Sequence, residues 1–98
     1  MFIHLVLFAV QPKEVVKYRK DSLMWAKVAC RQKGFLGYYT FRRLRHKGQY
    51  VSLYQWKAKV CYQRFMDRYH EWLVSCSRAK VKVLGYYNLQ ALDKVTHA

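Results

Sequence analysis

The stretch from Gly34 to Trp56, GFLGYYTFRRLRHKGQYVSLYQW, constrains the fold of this chain more than any other. Phe35 to Leu44 is rich in Tyr and Phe and reads as a strand. Arg45 to Gln49 (RHKGQ) contains Gly48 and reads as a hairpin turn. Tyr50 to Trp56 is then a second strand, closing on Trp. Because side chains alternate along a strand, Tyr50, Ser52, Tyr54 and Trp56 share one face, and Val51, Leu53 and Gln55 share the other. A helical pattern precedes this hairpin and another follows it, so the element order is strand, helix, strand, strand, helix, strand. That order leaves only a few α+β folds open.

The flanking segments supply the remaining elements. Phe2 to Val10 is nearly all apolar, as expected of a strand covered on both faces. Pro12 ends it and is tolerated at the first turn of a helix, where its missing N–H is not needed. Lys13 to Gln32 has helical periodicity: Lys13, Lys17, Lys20, Lys27 and Arg31 form a basic stripe, and Val15, Val16, Ser22, Leu23, Ala26, Ala29 and Cys30 are assigned to the opposite, inward side. Gly34 provides the stop, since Gly accepts the left-handed conformation that ends many helices. Lys57 to Lys80 is the second helical region, with an apolar stripe of Ala58, Cys61, Tyr62, Phe65 and Met66 continued by Trp72, Leu73 and Cys76, and a break expected between Asp67 and Tyr69. Lys82 to Leu89 is the last strand, and the residues beyond Asp93 are expected to fray.

The chain has 98 residues, which is the length of one domain, 1–98. So small a domain buries only a modest core, yet 53% of its residues are apolar and 17% aromatic. The excess implies that a second subunit covers some of this surface or that some of it lines a cavity. Its net charge of +14, from 19 Lys and Arg against 5 acids, is spread rather than blocked, which argues against a specific nucleic-acid site. Cys30, Cys61 and Cys76 are odd in number and lack metal-site spacing, so a reducing cytoplasm is expected rather than a disulfide framework. The opening MFIHLVLFAV has no basic residue before it and is too short to span a bilayer, so it reads as a strand and no membrane partner is expected.

Taken together, GFLGYYTFRRL after the first long helix and YVSLYQWKAK, in which the third strand ends in Trp56, resemble the antibiotic-biosynthesis-monooxygenase-like family. The likeness spans nearly the whole chain. It implies a ferredoxin-like βαββαβ fold whose four-stranded antiparallel sheet packs against that of a second subunit, giving a homodimeric α+β barrel with the helices outside. In the family, Gly-Cys or a similar pair enters strand two; here the pair is Gly34-Phe35, and Tyr54-Gln55-Trp56 closes strand three. The family's His, about nine residues after the strand-three Trp, is replaced by Phe65, and the nearest His is His70.

The resemblance further implies monooxygenation of a small aromatic or quinol substrate with no cofactor. That chemistry needs a dry pocket for a flat ring and polar groups that stabilise the ionised phenol, because a phenolate gives an electron to dioxygen far more readily than a phenol does. Trp56, Tyr54 and Tyr39 are the residues expected to hold the ring, and His70 and Arg43 those expected to favour its anion. Each of these aromatics has an ordinary core place as its alternative, and a non-catalytic small-ligand binder is the alternative for the protein. Haem-opening relatives use a His on the second helical region, an Asn on strand one and a Trp. Here His70 and Trp72 sit in a compatible region, but the polar residue of strand one is His4, and the only Asn, Asn88, is on the last strand. RNA-recognition motifs share the element order, and KGQYVSLY and MFIHLV loosely echo their signatures, but their stacking aromatics would fall at Gln49 and Val51. Asp67 and Glu71 read as a solvated helix face beside Arg68, and no metal site is expected.

Overall fold

Strand β1 spans Phe2–Ala9 and lies inside the sheet, flanked on both sides, as its sequence, apolar but for His4, suits. The computed structural model describes residues 1–97. After β1, Pro12–Glu14 forms a single 3-10 turn that leads into helix α1, Val15–Cys30. Strands β2 (Phe35–Arg42) and β3 (Gln49–Trp56) form the hairpin, helix α2 spans Lys59–Cys76, and β4 spans Lys82–Gln90. The four strands are ordered β2-β3-β1-β4, and every neighbouring pair is antiparallel. This is the ferredoxin-like α+β arrangement. The tail after Gln90 has no regular structure as far as His97, and the expected fraying runs on to Ala98, which lies outside the described residues.

Both helices cover one face of the sheet. Register fixes which side chains point there: Phe2 is opposite Trp56, His4 is opposite Tyr54 on one side and Asn88 on the other, and Val6 is opposite Ser52 and Tyr86. Phe2, Trp56, Tyr54, Ala29, Phe65 and Leu73 form the buried cluster between this face and the helices. Trp56 is 1% exposed, with its ring 5.2 Å from that of Phe35 and 5.3 Å from that of Phe65. Gly34 joins α1 to β2 with φ +88°, and a β-carbon there would collide with the Cys61 side chain on α2. Any larger residue would be strained at this φ and would force the Cys61 side chain to move.

Several expectations from periodicity need correction. Tyr18, Ser22 and Ala29 are the buried residues of α1, with Trp25 packed between them, whereas Val16, Leu23 and Cys30 face outward with the lysines. Positions 18, 22, 25 and 29 keep strict helical spacing, so the true inward face is rotated from the one assigned by apolarity alone. No break occurs in α2 at Asp67 to Tyr69; Gln63 Nε2 donates to Asp67 Oδ1 at 3.2 Å one turn on, and Phe65 and Tyr69 pack on each other. The same helix stops at Cys76 rather than Lys80, because Ser77 turns extended and the next backbone N–H groups find acids on the opposite side. Arg78 and Ala79 both donate to Asp21 Oδ2, at 2.9 and 2.7 Å, and Lys80 donates to Glu14 Oε1 at 2.7 Å.

That last contact fastens the α2–β4 connection to the start of α1. The Lys80 N–H, against the opposing cost of burial, holds the Glu14 carboxyl below its ordinary value of 4.5, with Lys17 and Lys13 nearby adding to the effect. A depressed carboxyl contributes stability that is present above the unfolded value and lost as pH falls through the folded one. Glu14→Gln is therefore expected to lower the midpoint of thermal unfolding at pH 7. Its unfolding curve should also lose part of the wild type's acid dependence below pH 4.5. Unfolding scans of both proteins between neutral and acid pH check this.

The other face of the sheet is covered by no element among the described residues. It is largely apolar: Leu5 and Leu53 are half-buried at its centre, while Tyr39, Phe41, Tyr87 and Leu89 stand on the outer strands with about half their surface in water. The Tyr39 and Phe41 rings stack at 5.7 Å on β2. An isolated soluble domain rarely leaves so continuous an apolar face open.

Candidate active site

A cavity of about 360 Å³ lies between the inner face of the sheet and the two helices. The alternation of β3 brings Ser52, Tyr54 and Trp56 to its floor, and that of β1 brings His4 and Val6. Trp25 of α1, and Tyr62, Phe65, Met66 and His70 of α2, form the opposite wall; Tyr86 closes the β4 side. This volume is within the ~300–1,000 Å³ range of small-molecule sites. Aromatic faces dominate the walls, as suits a flat, apolar ligand.

Asp21, Ser22 and Ser77 line the cavity where the two helices meet its wall, and its other polar atoms gather mainly at two places. At one end Tyr18 and Ser52 share a hydrogen bond of 2.7 Å, the Tyr38 hydroxyl donates to the same Ser52 Oγ at 3.1 Å, and Tyr38 bonds Thr40 at 2.7 Å on the exposed edge. This row of hydroxyls joins the cavity floor to solvent. Burial pushes the Tyr18 phenol up to about 12, against the bonds from Ser52 and Ser22. Burial also raises Tyr54 well above its ordinary value of 10, and Tyr62 less so. All three phenols therefore stay protonated at neutral pH and can donate a hydrogen bond to a ligand oxygen.

At the other place His4 is 7% exposed, its Nδ1 is 2.8 Å from Asn88 Oδ1, and its ring lies 4.6 Å from that of Tyr62. Burial lowers its pKa from 6.5, against the Asn88 bond, and the charge of His70 lowers it further. His70 is exposed and sits at the cavity's mouth, its ring edge-on to Trp25 at 5.9 Å.

The structure brings three of the five residues singled out in the sequence to this cavity: Trp56, Tyr54 and His70. Tyr39 and Arg43 do not reach it. Tyr39 is opposite Leu53, so strand alternation puts it on the uncovered face. Arg43 follows the end of β2, and its guanidinium donates to Gln49 Oε1 at 2.8 Å on the surface. His4, Asn88, Tyr62 and the Tyr18–Ser52 pair were not recognisable as site residues in the sequence. One signal did exist: His4 is a polar residue in an otherwise apolar central strand, on the same face as Phe2 and Val6. Its partner Asn88 is 84 residues away, and only the β1–β4 register joins them.

The residues do not fit the haem arrangement. Trp72, the companion of His70 in that reading, is 55% exposed and outside the cavity, and β1 presents a histidine already engaged by Asn88. Among the described residues no three His, Cys, Asp or Glu side chains come together to hold a metal ion, and no helix is long and apolar enough to cross a membrane.

No protein-family model matches the chain, and no curated protein matches it in sequence. Solved structures do match over the whole chain. A Deinococcus radiodurans protein carrying the name antibiotic biosynthesis monooxygenase superposes with a TM-score of 0.81 at 13% identity, covering 100% of this chain and 99% of that one. SnoaB of Streptomyces nogalater, a cofactor-independent oxygenase, gives 0.80 at 15% identity over 98% and 97% of the two chains. A variant of MhuD, solved with two manganese protoporphyrin IX per active site, gives 0.74 at 16% identity over 99% and 100%. At such identities the likeness is one of fold, and the chain is built on the ferredoxin-like fold of the antibiotic-biosynthesis-monooxygenase-like proteins, as its sequence resemblance implies.

Proposed function

We propose that this protein is a cofactor-independent monooxygenase that oxidises a small phenol or quinol in the cavity beneath α1 and α2, working as a cytoplasmic homodimer. The observation that carries this reading is the cavity itself: a volume of about 360 Å³, aromatic on its walls, with protonated phenols and a buried imidazole among its polar groups. Trp56 and Tyr54 hold the ring from the floor, and Tyr62 and Trp25 face it from the helices. Tyr18 and Ser52 are placed to bond one of its oxygens. The net charge of +14 favours an anion in such an enclosed space.

In the reaction the substrate O–H is ionised, and the electron-rich phenolate transfers an electron to dioxygen. Recombination places one oxygen atom on a ring carbon; the O–O bond then breaks. The ring loses two hydrogens, becomes a quinone, and the second oxygen leaves as water. The protein's part is orientation, exclusion of bulk water and stabilisation of the anion. His70 at the mouth supports the anion. Tyr39 has its role on the opposite face of the sheet, which a second copy of the chain covers.

Oxygen uptake with a panel of hydroquinones and naphthols in metal-stripped buffer tests the reading. Uptake that saturates with substrate and appears as quinone supports it. Saturable binding without oxygen uptake leaves a ligand-binding protein on the same fold, and neither binding nor uptake overturns the use of this cavity.

A further inference from the structure

We propose that His4, held by Asn88 with its Nε2 open to the cavity, is the base that takes the substrate's phenolic proton. The inference rests on the cavity being the substrate site and adds the group that starts the reaction there. His4 is one of the few buried polar side chains, and it stands on the central strand where nothing in the fold requires a histidine. Its Nδ1 meets Asn88 Oδ1 at 2.8 Å. An amide oxygen is an acceptor, so Nδ1 carries the hydrogen and Nε2 carries the lone pair. Among the described residues His4 has no second hydrogen bond, and no buried side-chain nitrogen or oxygen lacks a partner. Nε2 is therefore not sealed in the core: it opens into the cavity that the ring lines.

The surroundings suit a base rather than a resident cation. Tyr54 of β3, Tyr62 and His70 of α2, Tyr86 of β4, and Tyr18 and Asp21 of α1 are the titratable groups around the same cavity. The three tyrosines nearest the ring, Tyr54, Tyr62 and Tyr86, hold their rings 4.6 to 6.3 Å from it. Burial and His70 keep the free imidazole neutral, so its lone pair is available at neutral pH. When a phenol binds, its O–H bond breaks, the proton passes to Nε2, and a phenolate–imidazolium pair forms with no change in oxidation state. The new anion itself then stabilises the imidazolium. Asn88 is a positioning residue: it fixes the tautomer and ring plane without touching substrate.

The test uses 4-nitrophenol as the probe, because its anion absorbs visible light and its neutral form does not. Bound to the wild type at a pH below its own pKa, the probe is expected to show an anion-to-neutral ratio about ten-fold above that in free solution, one unit of pKa. His4→Gln should keep binding and return the ratio to the free value; Asn88→Leu should lower it partway. Binding with the same ionised ratio in wild type and His4→Gln overturns the role of His4 and leaves the cavity reading intact. Absence of binding by the wild type overturns both. Should His4→Gln fail to fold, nitrogen-15 spectra of the wild-type histidines decide: the proposal requires His4 protonated at Nδ1 alone in the free protein and at both nitrogens with the probe bound. A free protein protonated at Nε2 contradicts it.

Discussion

Trp56→Ala is expected to destabilise the protein by about 3–5 kcal/mol, the range for truncating a fully buried aromatic residue. Trp56 is 1% exposed, its ring contacts Phe35 and Phe65, and it ends the strand whose register with β1 and β2 sets the whole inner face. It also belongs to the cavity wall, so the same change should abolish saturable binding of naphthols. Thermal unfolding at one fixed protein concentration, paired with a binding titration, separates the two effects. A loss of less than about 1 kcal/mol would contradict the packing described here, since such values belong to substitutions away from the core.

The second large effect concerns the uncovered face. Leu53→Glu is expected to convert a dimer at micromolar concentration into a monomer, because it places a charge at the centre of the apolar surface that two sheets would share. Stable interfaces bury ~1,200–2,000 Å² in all, so a single charge at the centre of one meets much desolvated surface. Light scattering on both proteins reads the outcome. A wild type that is monomeric and well folded would remove the barrel, and a variant that remains dimeric would place the interface elsewhere.

Most of the fold was legible because its signals are local. The alternation of Tyr50 to Trp56, the turn around Gly48 and the apolar run of β1 each name an element from neighbouring residues, and the order of elements then restricts the sheet. The inward face of α1 was less so. Ser22 and Ala29 were assigned inward correctly, and the Ser22 hydroxyl bonds the Tyr18 carbonyl at 2.8 Å; but Tyr18 and Trp25 were missed, and apolar Val16 and Leu23 are left in water. The end of α2 escaped for a related reason: acids far back in the chain, Asp21 and Glu14, determine where the helix gives way.

The site was half legible. Trp56 and Tyr54 were marked by their place on one face of a single strand, and His70 by its helix. Tyr39 and Arg43 were singled out only as side chains suited to the chemistry that the family resemblance implies, and strand alternation and a surface bond to Gln49 carry them elsewhere. His4 and Asn88, Tyr18 and Ser52 acquire their meaning only in pairs joined by long-range strand register and helix packing, which no local pattern encodes.

In the proposed function this chain joins one atom of dioxygen to a phenol using its own side chains. The most direct measurement incubates the protein with 1-naphthol under oxygen-18 gas, in metal-stripped buffer, and weighs the product by mass spectrometry. The expected product is a naphthoquinone carrying one oxygen-18 atom, with the second atom recovered in water and one dioxygen consumed per quinone formed. A quinone whose new oxygen comes from solvent, or unchanged naphthol alongside saturable binding, would contradict it.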